Sequence, residues 1–168
     1  MSYLRLRDSA VEQIRAGMLP VFPNMTVEAH PGAFTEQTLR LAAQRTPAVL
    51  TSLARAADGI DKNGATFVSW VLYRASSADR LYDGALEIIS ALIPVIRNAE
   101  FENVYIKETA IEAECLHAGA LDGINATMWA VRWELALGGR AFLPEPPGGL
   151  GGLESFHGTA AIGPPSQT

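Results

Sequence analysis

The chain has 168 residues, 48% of them hydrophobic, and its 18 acidic side chains outnumber 13 basic ones for a net charge of -5. That length suits one domain with a real core, and the acidic balance excludes a broad positive field for gripping nucleic acid. The single cysteine, Cys115, excludes an intramolecular disulfide and a Cys-based zinc cluster and fits a reducing, cytoplasmic origin, while no apolar run approaches the ~20 residues of a membrane span.

The N-terminus MSYLRLRDS lacks the apolar core of a signal peptide, so the chain reads as soluble and unsecreted. Ser9 and Glu12 form a capping-box pattern, and Val11, Ile14 and Met18 follow at helical spacing, which predicts a first helix limited by Gly17 and Pro20. Met25 to Ala29 reads as a short extended stretch before the turn His30-Pro31-Gly32. Thr35 is the expected N-cap of a second helix, with Phe34 and Leu39 as a hydrophobic staple; it runs through Ala43 and is closed by Pro47.

Residues 47–53 are almost continuously apolar, as in a strand covered on both faces. The turn-rich stretch from Ala57 to Gly64 joins it to a strand from Thr66 to Arg74 carrying Phe67, Trp70, Leu72 and Tyr73, which predicts a hairpin with a long loop. From Ser76 to Ile96, Leu81, Ala85, Ile88, Ile89, Leu92, Ile93 and Ile96 make one apolar helical stripe, with Pro94 kinking or ending the last turn. Val104 to Ala110 and Ile124 to Leu137 read as strands. In the second, Trp129, Val131, Trp133 and Leu135 form an apolar face opposite Met128, Ala130, Arg132 and Glu134, which suggests helices on one side of a sheet. Residues 111–123 fit helix or strand and are read as extended.

The expected fold is α+β: a mixed, mainly antiparallel β-sheet with amphipathic helices packed on it over residues 1–137, followed by an extended Gly/Pro-rich C-terminal arm, 138–168. The arm's composition cannot bury enough apolar surface to offset its own ordering entropy, so it needs a partner surface.

Chemistry is sparse. His30, His117 and His157 share no ligand spacing, and no metal or cofactor site is expected. Glu108, Glu112 and Glu114 would lie on one face of a strand, and Glu108 and Glu112 with His117 are the residues a small acid-base enzyme would use; the bland reading is a solvated face. Cys115 sits beside Glu114, and negative charge disfavours a thiolate, so it reads as a structural thiol. Gly148 to Gly152 neither follows a strand nor carries the Lys-Ser/Thr of a phosphate loop. Arg74 and Arg80 could bind an anion, but pairing with Asp79 or Asp83, across a subunit boundary, is favoured. The three tryptophans, Trp70, Trp129 and Trp133, read as core, with one available as an interface anchor.

The run Pro31-Gly32-Ala33-Phe34, a short helix, Arg45-Thr46-Pro47-Ala48-Val49-Leu50, a strand ending Tyr73-Arg74, the Arg80-led helix and Trp129-Ala130-Val131-Arg132-Trp133-Glu134 together resemble the tail terminator, or tail-completion, proteins of Mu-like phages and prophages. The resemblance covers about Leu4 to Leu137 and leaves out the arm. It implies a non-enzymatic virion protein of the head-tail joint, made in the host cytoplasm. Such a protein forms a homo-oligomeric ring, a hexamer by the resemblance, that caps the tail-tube protein and docks the head connector or neck protein. DNA would pass through its lumen without sequence-specific binding, and no membrane is involved. A head-closure or adaptor protein of the same neck would share this composition. The expected interface residues are Asp58 and Lys62 in the hairpin loop, Arg74 and Arg80, and Phe142, Leu150, Leu153 and Phe156 in the arm, whose apolar side chains can bury area against a neighbour.

Overall fold

A computed structural model describes residues 2–32, 40, 42, 44–57, 64–77, 80–101, 104–106, 111–121 and 124–137. The sequence folds into helix α1 (Tyr3–Met18), strands β1 (Thr26–Ala29), β2 (Ala48–Ala57) and β3 (Gly64–Arg74), helix α2 (Leu81–Arg97), and strands β4 (Val104–Ile106), β5 (Glu112–Leu121) and β6 (Ile124–Leu137). The strands form one sheet in the order β1-β2-β3-β6, and the far edge of β6 is shared by β5 and β4. Among the described residues only β1 and β2 pair in parallel and every other pairing is antiparallel, so the mixed, mainly antiparallel α+β fold expected from the residue pattern is the fold found.

The first helix starts earlier than the Ser9-Glu12 pattern suggests. Its apolar stripe reaches back to Leu6, and Ser2 offers a cap about two turns before Ser9: its Oγ accepts the Arg5 N–H at 3.2 Å. Ser9 therefore lies inside the helix. Helix α2 starts later than expected, because Ser76 and Ser77 are spent on a bend in which the Ser77 carbonyl accepts the Arg80 N–H, and Leu81 is the first buried residue. Pro94 does not end the helix, which continues to Arg97 with Pro94 on its exposed side. The expected N-cap Thr35 and the Phe34 and Leu39 staple lie outside the described residues, although Arg40, Ala42 and Gln44 are helical.

Both helices pack on one sheet face. Leu6, Ile14 and Met18 of α1 and Ile88, Leu92 and Ile96 of α2 close over Val49, Phe67, Val71, Val131, Trp133 and Leu135, all at most 1% exposed. Fully burying a side chain of this kind contributes about 1.5–3 kcal/mol relative to leaving it in water. The two helices approach closely because Gly17 has no side chain: a Cβ there would stand 2.6 Å from both Val95 methyl groups. Gln13 adds a polar tie, its Oε1 accepting the Glu100 N–H at 2.8 Å while its amide donates to the Glu100 carbonyl. Gly84 lets the first turn of α2 settle on the Tyr73 ring of β3 in the same way.

Phe67 and Trp133 are cross-strand partners whose rings stack at 4.5 Å. The indole N–H of Trp133 donates to Ser69 Oγ at 3.1 Å, and Ser69 Oγ shares a 2.9 Å hydrogen bond with Thr51 Oγ1. All three groups are buried, so each needs a partner inside the protein.

The alternation along β6 suggested helices on one side only, but the opposite face is also apolar. Ala48, Leu50, Val68, Trp70 and Leu72 form a second buried cluster, with Met128, Ala130 and the helical residue Ala42 against it. Trp70 thus belongs to this second core and Trp133 to the first, while Trp129 is half-buried at the edge of the first.

Two outcomes follow for stability. Ser69→Ala should cost about 1–3 kcal/mol in urea unfolding, because it strands the Trp133 N–H and the Thr51 hydroxyl. Gly17→Leu should cost about 1–3 kcal/mol by overpacking, and adding Val95→Ala should restore part of it, a coupling of at least about 0.5 kcal/mol; strict additivity would contradict the close approach.

Candidate functional site

Three places on the domain carry the polar or exposed side chains that function requires. The first is the β5 face that holds Glu112, Glu114 and His117. Glu112 pairs with Arg132, Glu114 with Ala130 and Cys115 with Trp129, but His117 pairs with Met128, so one extra residue, Leu116, is inserted as a β-bulge. The bulge reverses the alternation and brings His117 to the same sheet face as Glu112 and Glu114, although simple counting along the strand would have put it on the other. Thr127 holds the bulge, its Oγ1 donating to the His117 carbonyl at 2.9 Å, with Cys115 Sγ 3.6 Å from the same oxygen. Cys115 is half-buried within β5, and His117 lies in the same strand.

The trio shares a face without meeting. Glu112 and Glu114 are exposed, no hydrogen bond joins any two of the three, and the buried Nε2 of His117 has no partner. Acid-base catalysis needs side chains within hydrogen-bond reach of a common atom. Glu108, the remaining member, lies outside the described residues. Among the described residues no group of three His, Cys, Asp or Glu side chains is placed to hold a metal ion.

The second place is a cavity of about 450 Å³ where β1 ends, lined by Glu28, Ala29, His30, Ala42, Gln44, Arg45, Ala48 and Leu50. The parallel β1-β2 pairing creates it, setting Glu28 beside Leu50 and bringing the chain around Arg45 back over the strand ends. Arg45 Nη1 donates to Glu28 Oε2 at 3.0 Å, and the Arg45 carbonyl accepts from Thr26 Oγ1 at 3.2 Å. His30 is held by its backbone N–H on the Thr51 carbonyl at 2.8 Å, by an edge-on contact with Trp70 at 5.5 Å, and by Nδ1, which accepts the Gly32 N–H at 3.1 Å. Burial lowers its pKa below the ordinary 6.5, and an Nδ1 that accepts a hydrogen bond requires the neutral ring. The volume matches a small-molecule pocket, but its one cation and one carboxylate are spent on each other.

The third place is the seam between α2 and β5. On α2, Tyr82 is 48% exposed and Leu86 45%. The Tyr82 ring stands edge-on to Trp129 at 6.3 Å, and the buried Trp129 indole N–H has no acceptor. Arg74 and Arg80, at the two ends of the bend leading into α2, are both exposed. Within one chain neither arginine pairs with Asp83 or has another ion pair among the described residues, and Asp79 lies outside them. The other expected interface residues, Asp58, Lys62, Phe142, Leu150, Leu153 and Phe156, lie outside the described residues.

The seam and the cavity were both missed in the residue pattern. Tyr82 and Leu86 flank the apolar stripe of α2 and read as its continuation, while Glu28, His30 and Arg45 converge only through a parallel strand pairing. No protein-family model matches the chain, and no curated protein matches it.

The neutral state of His30 has a pH consequence. Its folded pKa is lowered, so the unfolded chain takes up the proton first; stability is full above about 6.5 and falls as pH drops below that value. Urea midpoints measured between pH 8 and pH 5 should show a loss in wild type that His30→Asn reduces, and identical profiles would contradict a neutral imidazole held by the fold.

Proposed function

We propose that this chain is a structural, non-enzymatic subunit of a phage virion: a tail terminator at the head-tail joint that assembles into a ring, caps the tail tube, docks the head connector and lets DNA pass through its lumen. The observation that carries this reading is the exposed apolar pair Tyr82 and Leu86, one turn apart on α2, with the Tyr82 ring edge-on to the half-buried Trp129. Large apolar side chains clustered at the surface of a small domain mark a surface made for association, and aromatic anchors are enriched at the centres of such interfaces. Arg74 and Arg80, exposed and without an ion pair among the described residues, supply polar groups close by for the rim of a contact.

The resemblance to tail terminators rests on the order of elements and the short motifs, and the mainly antiparallel sheet with two helices is compatible with it. Charge supports the lumen: a net charge of -5 gives DNA little to adhere to, and a protein through which DNA must slide gains from few phosphate contacts. A ring needs contacts that close, which heterologous patches on one subunit provide.

Native mass spectrometry of the full chain tests the reading. A closed oligomer, with six copies expected, supports it, and a monomer at micromolar concentration contradicts it. Leu86→Ser should shift that distribution toward single subunits while changing unfolding stability by no more than about 0.5 kcal/mol; Tyr82→Ser should shift it too, at a cost of about 0.5–1.5 kcal/mol because it also removes the edge-on contact with Trp129.

A further inference from the structure

The seam between α2 and β5 has a match within the chain itself. Leu150, Leu153 and Phe156 recur every third residue in the Gly/Pro-rich arm, and three residues is the repeat of a polyproline II helix, so in that conformation they share one side. Glu154 is the one charged residue between Gly148 and Gly158. An extended segment with its apolar side chains on one side can bury them against exposed aromatic and aliphatic side chains, and a buried indole N–H without a partner can be satisfied by a backbone carbonyl of that segment. The seam offers these elements: Tyr82 edge-on to Trp129, Leu86 one turn along α2, and an indole N–H without an acceptor.

We propose that the segment Leu150 to Phe156 docks on the α2-β5 seam, against Tyr82, Leu86 and Trp129. The half-exposed Tyr82 ring turns aside to admit it, and a backbone carbonyl of the segment accepts the Trp129 indole N–H. Reach is sufficient. β6 ends at Leu137, and Trp129 lies eight residues back along the strand, about 26 Å at the usual strand rise. The 13 residues from Leu137 to Leu150 span about 40 Å in polyproline II conformation, enough to turn back to the seam of the same chain or cross to that of a neighbour. The apolar anchors of the arm and the exposed apolar side chains of the seam thereby cover one another. This docking deepens the ring reading by naming the surface that takes the arm, but it does not depend on ring closure.

The test uses the full chain with a benzophenone side chain in place of Leu86. Irradiation and peptide mapping should give a cross-link within residues 148–158, and Leu150→Ser/Leu153→Ser/Phe156→Ser should reduce it at least tenfold. The same triple variant should move the Trp129 indole N–H resonance and leave those of Trp70 and Trp133 in place, with Trp129→Phe making the assignment. Cross-links that fall only elsewhere, α2 of a second copy included, or an indole resonance unmoved by the triple variant, would overturn the proposal. A cross-linked product of one-chain mass from a protein that is monomeric in native mass spectrometry would sink the ring reading and support the docking. An intact ring without this cross-link would sink the docking alone.

Discussion

The fold depends on β3 being paired along its whole length and buried on both faces. Every residue from Gly64 to Arg74 has a partner on β6, and most also have one on β2, so the strand has no free edge. Ala65 and Phe67 to Leu72 are buried, with Phe67, Ser69 and Val71 toward the helices and Val68, Trp70 and Leu72 away from them. A strand in this position imposes two demands. The helices must cover one face, which α1 and α2 do through the close approach at Gly17 and Val95, and the other face must also be kept from water. Ala42, in the stretch that links β1 to β2, packs on that second face. The parallel β1-β2 pairing is thus the sequel to the central strand: a parallel pair needs a crossover, and this crossover serves as cover.

Much of this was legible from residue spacing. The stripe from Leu81 to Ile96 and the alternation of Trp129, Val131, Trp133 and Leu135 are strong local periodicities, and both elements form as expected. The five buried residues from Ala48 to Ser52 likewise follow from a continuous apolar run. What local pattern could not reveal was the relation between distant elements. Nothing near Thr26 or Ala48 indicates that they pair in parallel, so the crossover that brings Ala42 onto the second core could not be foreseen. The helix starts were misplaced for another reason: two serines could cap α1, α2 has no side-chain cap, and in both the start follows where the first buried apolar residue falls, Leu6 in α1 and Leu81 in α2.

The candidate sites were less legible still. The bulge at Leu116 cannot be counted from the sequence, yet it decides that His117 shares a face with Glu112 and Glu114. The cavity around His30 joins residues from β1 and from the end of the crossover, and the Glu28-Arg45 ion pair gives no local trace. Tyr82 and Leu86 are the instructive case. They flank the same stripe that buries Leu81, Ala85 and Ile88, and only the placement of α2 toward β5 determines which side chains the sheet covers and which it leaves in water.

From these features the proposed ring subunit takes a physical form: a rigid double-faced sheet, an apolar seam at one side, and an arm with apolar anchors at three-residue spacing. Negative-stain electron microscopy of the purified full chain tests the central claim most directly. The account predicts annular particles with an open centre that persist in moderate salt, because the contacts are apolar. A field of single small particles, or compact oligomers without an opening, would contradict it.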